Sequence, residues 1–149
     1  MLSKKAQYAF QALMYMADTQ PDRPTLISEI SEKRNIPLKF LENILLQLKN
    51  AGVLDSKKGK GGGYYFRIPP KDIPLARIIR LIDGPIAMLP CVSLYFYERC
   101  KNCDEGRCGL HDTMVLVRDA ALKILENKTV ADISSLSDEN LMTKKVPLI

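Results

Sequence analysis

At 149 residues, with 46% hydrophobic and 26% charged side chains, the chain has the makeup of a folded domain rather than a disordered segment. No apolar run approaches the ~20 residues that span a bilayer, and the opening stretch from Met1 to Tyr8 reads as a helix start rather than a leader peptide, so a cytoplasmic protein without a membrane partner is expected. The net charge of +5 is unevenly placed: residues 1–70 carry 11 Lys/Arg against 6 Asp/Glu, whereas residues 71–149 carry 11 of each. That asymmetry suits a first half that meets a polyanion, the plainer reading being a solvated basic face.

Along residues 4–18, Ala6, Phe10, Leu13, Met14 and Ala17 mark one side of a helix, which Pro21 and Pro24 end. A short second helix from Ile27 to Arg34 turns Ile27 and Ile30 inward and closes at Asn35. Ile36-Pro37 opens a third, where the missing proline N–H costs little. Its Leu41, Ile44, Leu45 and Leu48 fall at i, i+3, i+4 and i+7, which predicts one buried stripe. The opposite face carries Lys39, Asn43 and Asn50, flanked by Glu42 and Gln47, and Leu46 also points that way without a sequence-level reason. After Ala51-Gly52, two strand-like runs (53–58 and 64–68) flank Gly59-Lys60-Gly61-Gly62-Gly63, the pattern of a β-hairpin.

A fourth helix is expected from Ile73 to Asp83, then an irregular loop over 86–109. From Leu110 to Glu126 the residues Leu110, Met114, Val117, Ala121 and Ile124 alternate by four and three, a coiled-coil-like seam. A short amphipathic piece from Val130 to Leu136 and a mobile polar tail over 137–149 complete the reading. The expected fold is mainly α with a small β-hairpin: a winged helix-turn-helix domain over 1–70, then a connecting helix, loop and long C-terminal dimerisation helix over 71–136.

Three helices followed by a basic hairpin suit duplex DNA. An α-helix fits the major groove, and the side chains at its start reach base edges. Here these are Pro37, Leu38, Lys39, Phe40, Glu42 and Asn43, with Ser28 of the second helix beside them. Lys39 matches guanine O6/N7, Asn43 adenine N6/N7, Glu42 the cytosine amino group, and Phe40 a thymine methyl. In the wing, Lys57, Lys58 and Lys60 concentrate positive charge, and Gly61, Gly62 and Gly63 before Tyr64 let backbone come close to a phosphate. A nucleotide-binding P-loop is excluded, because Tyr64-Tyr65-Phe66 opens a strand rather than a helix. An enzyme is not expected: there is no Ser/His/Asp constellation, and no small-molecule substrate is implied. A winged helix that binds protein instead of DNA is the alternative.

The stretches Tyr8-Ala9-Phe10-Gln11-Ala12-Leu13, Ile30-Ser31, Ile36-Pro37, Leu41-Glu42, Leu48, Gly52-Val53-Leu54 and Lys60-Gly61-Gly62-Gly63-Tyr64 resemble the Rrf2 family of bacterial regulators over about residues 1–135. The resemblance implies a homodimeric repressor or activator. It also implies that the third helix and wing contact DNA and that the long C-terminal helix joins two copies.

All four cysteines, Cys91, Cys100, Cys103 and Cys108, fall in the 86–109 loop, and the chain's one histidine, His111, follows three residues later. Clustered cysteines in a cytosolic chain point to metal or redox chemistry. Thiolate-rich sites take iron–sulfur clusters or zinc, and spacing alone does not separate the two. The family resemblance implies an iron–sulfur cluster, since related sensors place three cysteines in this loop, the last followed by a histidine. This chain departs from their even spacing, with gaps of eight, two and four residues and a fourth cysteine. The ligand subset among Cys91, Cys100, Cys103, Cys108 and His111 therefore stays open, with zinc and metal-free thiol sensing as alternatives.

Overall fold

The computed structural model describes residues 1–19 and 21–134, so the expected tail over 137–149 and the last residues of the 130–136 piece lie outside the described residues. Helix α1 (Lys4–Thr19) starts on Ser3, whose Oγ accepts the Ala6 N–H at 3.0 Å as an N-cap. Ser3 is itself held by the carboxylate of Asp83 through its N–H and hydroxyl. The face that α1 buries is rotated from the expected one. Ala6, Ala9, Ala12, Leu13, Tyr15 and Met16 are buried, while Phe10, Met14 and Ala17 are half-buried, because the small alanines let neighbouring helices approach most closely.

Helix α2 (Ile27–Arg34) buries Ile30 and ends at Asn35, which adopts a left-handed φ of 51°. The turn into α3 (Leu38–Asn50) is stitched by Ser31 Oγ, which donates to the Ile36 carbonyl at 2.7 Å. All four expected core positions of α3, Leu41, Ile44, Leu45 and Leu48, are fully buried. Strand β1 (Leu54–Lys57) pairs antiparallel with β2 (Gly63–Phe66), Leu54 opposite Phe66 and Lys57 opposite Gly63. A further bridge, not legible beforehand, joins Thr25 to Tyr64 through reciprocal N–H to O=C bonds of 2.8 and 2.9 Å.

Helix α4 (Leu75–Ile82) begins two residues later than expected, since Pro74 occupies its N-cap. Helix α5 (Gly109–Leu125, 17 residues) is longer than α1 (16 residues), and the short α6 (Val130–Ser134) packs on α1. The Val130 N–H donates to the Ile73 carbonyl at 3.0 Å and the Leu75 N–H to Lys128 at 2.9 Å, bringing the chain after α5 back beside the start of α4. One core therefore runs from Leu13 and Met16 through Leu41, Ile44, Leu45 and Leu48 to Ile73, Ile78 and Val130. The winged-helix unit thus extends its packing past residue 70. Of α5 only Leu122 is buried. Among the described residues, no helix is long and apolar enough to cross a membrane.

Candidate DNA-reading face and cysteine cleft

Helix α3 is pinned by polar contacts to its surroundings. Gln47 accepts from Lys5 Nζ at 2.7 Å and donates to the Leu81 carbonyl at 2.8 Å, fixing α3 to α1 and α4. Lys49 Nζ reaches Ser56 Oγ at 2.6 Å in β1, and Arg77 donates to the Ala51 carbonyl at 3.2 Å. Gln47 is thus a packing residue rather than part of an open polar face. The remaining positions singled out, Pro37, Leu38, Lys39, Phe40, Glu42 and Asn43, are all exposed, as is Ser28 at the start of α2. Among the described residues, the side chains of Lys39, Glu42 and Asn43 have no hydrogen-bond partner and are free to meet a ligand.

The wing departs from its expected form at two glycines. Lys57, Lys58, Gly59, Lys60 and Gly61 are exposed, but Gly62 is buried and its N–H donates to the Gly59 carbonyl at 3.0 Å. A Cβ at Gly62 would run into the Lys57 carbonyl, and one at Gly63, where φ is 140°, into the Thr25 carbonyl. Gly62 and Gly63 therefore serve close packing of the protein's own backbone, and Gly61 is the member of the triplet left open to a phosphate. Tyr64 is half-buried against the core, with its backbone engaged by Thr25.

The cysteines share one cleft of about 450 Å³, lined by Cys91, Cys100, Cys103, Cys108 and His111 with Leu89, Pro90 and Leu110. Glu105 organises its rim: Oε1 accepts the Cys100 N–H at 3.0 Å and Oε2 the Tyr97 hydroxyl at 2.7 Å. Those two bonds, the backbone one foremost, hold the Glu105 carboxyl below its ordinary range, and the same contact raises the Tyr97 phenol. Cys108 N-caps α5, its Sγ accepting the His111 N–H at 3.4 Å, while His111 Nδ1 lies 3.3 Å from Asp112 Oδ1.

All four cysteines are free thiols. The Asn102 N–H, followed by the Cys103 thiol, lowers the Cys100 pKa. The neighbouring Cys100 thiol, then burial and the Cys108 thiol, push Cys103 up to about 12, and burial raises Cys91. Among the described residues, no three His, Cys, Asp or Glu side chains are arranged to hold a metal ion. The four cysteines stand instead as free thiols in the cleft. Their donor chemistry nonetheless fits a thiophilic centre: several sulfurs line one cleft, and backbone N–H groups already point at Cys100 and Cys108. Ligation would replace the thiol protons.

Two arginines connect this loop to the helices around it. Arg118 of α5 donates to the Val92 carbonyl at 2.6 Å and pairs with Asp119 at 2.7 Å. Arg80 of α4 lies over the Tyr95 ring and binds Glu126. Neither arginine, nor Glu105, carried a spacing or motif that marked it in the sequence. Along α5 the expected seam is open, with Leu110, Val117 and Ile124 exposed and Met114 and Ala121 half-buried.

A helix-turn-helix with an unobstructed polar helix and a lysine-tipped hairpin defines a winged-helix DNA-binding regulator. A family-wide sequence profile described as "Rrf2: Iron-dependent Transcriptional regulator" matches residues 2–135. An HTH-type transcriptional regulator named rrf2-like from Rhodobacter capsulatus is 38% identical over 136 residues, covering 89% of this chain and 91% of that protein. The regulator IscR of Aliivibrio salmonicida is 31% identical, covering 83% and 68%. The structure of CymR, the global cysteine regulator of Bacillus subtilis, superposes with a TM-score of 0.76 at 27% identity, covering 93% and 98%. The chain belongs to the Rrf2 family of DNA-binding transcriptional regulators, and these relatives are regulators rather than enzymes.

Proposed function

We propose that the chain acts in the cytoplasm as a homodimeric, sequence-specific regulator whose operator affinity is set by the state of its cysteine loop. The observation that supports this most is the pairing of a pinned, exposed α3, with Lys39, Glu42 and Asn43 uncommitted, and a wing tipped by Lys57, Lys58 and Lys60. In this reading Pro37, Leu38, Lys39, Phe40, Glu42 and Asn43 enter the major groove, with Ser28 at its edge. The wing lysines and Gly61 meet phosphates, and Gly62, Gly63 and Tyr64 shape the hairpin that presents them. Pairing of two α5 helices through Met114, Val117, Ala121 and Ile124 sets two α3 helices about 34–36 Å apart, or a multiple of that, on one face of the duplex. The test is salt dependence: Lys58→Ala and Lys60→Ala each reduce the log K against log salt slope by ~1 for all sequences. Unchanged slopes in both remove the wing from the interface.

The sulfur-rich cleft, together with the family's description as iron-dependent, supports an iron–sulfur centre held by three or four of Cys91, Cys100, Cys103 and Cys108, or by three of them with His111. Such a centre, when bound, supplies electron exchange and reactivity toward oxygen or nitric oxide. The chain's own part is to hold the loop: Glu105 fixes Cys100 and Tyr97, and Arg118 fixes Val92. A second reading, the thiols themselves as the sensor, is favoured by four free thiols gathered in one cleft. Iron and acid-labile sulfide in anaerobically purified protein support the first reading. Metal-free protein with peroxide-sensitive DNA binding supports the second, and stoichiometric zinc makes the site structural.

A further inference from the structure

Leu26, Leu38, Phe40 and Leu46 are 54%, 45%, 57% and 49% exposed, four large apolar side chains on or beside the one surface where the uncommitted polar groups stand. Three of them belong to α3, and Leu26 follows Thr25, whose backbone pairs with the wing. Large side chains left in water on a functional face mark a partner with matching apolar groups. The positive excess of residues 1–70 selects an anionic partner, and in the DNA major groove the apolar group on offer is the thymine C5-methyl.

We infer that Leu38 and Phe40 read thymine methyl groups, so that each half-site sets thymines beside the base pairs hydrogen-bonded by Lys39, Glu42 and Asn43. Both side chains stand in the first turn of α3, the end that enters the groove, and they flank Lys39 in sequence on either side. Leu38, Glu42 and Leu46 follow at intervals of four residues. The carboxylate suited to a cytosine amino group therefore lies between two apolar side chains, each displaced ~6 Å along the helix, or about two base-pair steps. The inference rests on the proposed contact of α3 with DNA; it extends the thymine match expected of Phe40 to Leu38 and makes methyl groups on both sides of Lys39 a selected feature of each half-site.

The experiment uses the full chain and half-sites enriched by it from random duplexes. Each thymine is then replaced singly by deoxyuridine, which removes the methyl group and keeps the base pairing. Loss of a contacted methyl lowers wild-type affinity about four-fold, the equivalent of ~0.8 kcal/mol per buried carbon group. At the position each residue reads, Leu38→Ala or Phe40→Ala binds the thymine and deoxyuridine duplexes equally, while the salt slope stays at its wild-type value. Because both residues are exposed, the alanine variants keep the fold. Equal wild-type affinity for the two duplex sets overturns the inference, as does a deoxyuridine penalty that persists undiminished in both variants. Failure to enrich any duplex instead overturns the DNA-reading account on which it stands.

Discussion

The Arg80 guanidinium lies 5.0 Å from the centroid of the Tyr95 ring, and the same group binds Glu126 Oε1 at 2.7 Å. One side chain of α4, which belongs to the winged-helix core, thereby touches both the cysteine loop and the end of α5. The ion pair is partly exposed, with side-chain accessibilities of 27% and 48%, so its loss costs about 0–1 kcal/mol of stability. In the proposed reading this contact is also the route by which the loop reaches α4. Arg80→Ala is expected to remain a folded dimer while the ratio of operator affinities between the native and oxidised protein moves toward one. A wild-type ratio in that variant removes Arg80 from the connection.

The wing glycines separate by mechanism. At Gly61 (φ 74°) a Cβ meets nothing within 4 Å, so Gly61→Ala carries only the strain of a left-handed residue, about 1–2 kcal/mol. At Gly63 a Cβ collides with the Thr25 carbonyl and breaks the bridge between the start of α2 and the wing. Gly63→Ala is expected to cost more than Gly61→Ala in chemical denaturation and to weaken DNA binding further. Equal costs contradict this packing role.

Within the chain, helix α5 buries only Leu122, which leaves Leu110, Leu116, Val117 and Ile124 exposed. Val117→Glu places a charge in the seam and is expected to give monomers that do not hold a two-half-site operator. Sedimentation at micromolar concentration reads this directly. A wild-type monomer, or a Val117→Glu dimer, contradicts the assignment of α5.

Asp132 and Thr129 form a reciprocal cap on α6: Oδ2 accepts the Thr129 N–H at 2.8 Å, and Thr129 Oγ1 accepts the Asp132 N–H at 3.3 Å. The backbone bond, then the hydroxyl one, holds the Asp132 carboxyl below its ordinary value. A depressed folded pKa stabilises above the unfolded value of about 3.9 and is lost as pH falls through the folded one. Asp132→Ala is therefore expected to lower Tm by a few degrees at neutral pH, with the gap from wild type closing as pH falls below the ordinary aspartate value. A gap independent of pH shows that the carboxylate charge contributes nothing to the cap.

How far these elements were legible follows from the range of the interactions that make them. The α3 stripe could be read because Leu41, Ile44, Leu45 and Leu48 encode burial by local spacing. The lysine-flanked glycine run likewise marks a hairpin by itself. Thr25 gave no sign of its bridge, since its partner Tyr64 lies 39 residues away and a single pair makes no strand pattern. The α1 face was misplaced because alanines score as weak apolar residues, although their small size is why they sit at the closest contacts. The cysteines announced a site, whereas Glu105, Arg80 and Arg118, ordinary charged residues by sequence, gained their roles only when the loop folded. Leu46, without a reason in the sequence, is exposed on α3.

The most direct test compares operator affinity in one anaerobic preparation before and after oxygen or nitric oxide, for wild type and for Cys100→Ala. A loop that regulates must give its two states different affinities; equal binding shifts nothing. A change of at least ~5-fold is predicted in wild type and none in Cys100→Ala, with both proteins folded dimers. Wild-type protein that binds its operator equally well in both states contradicts it.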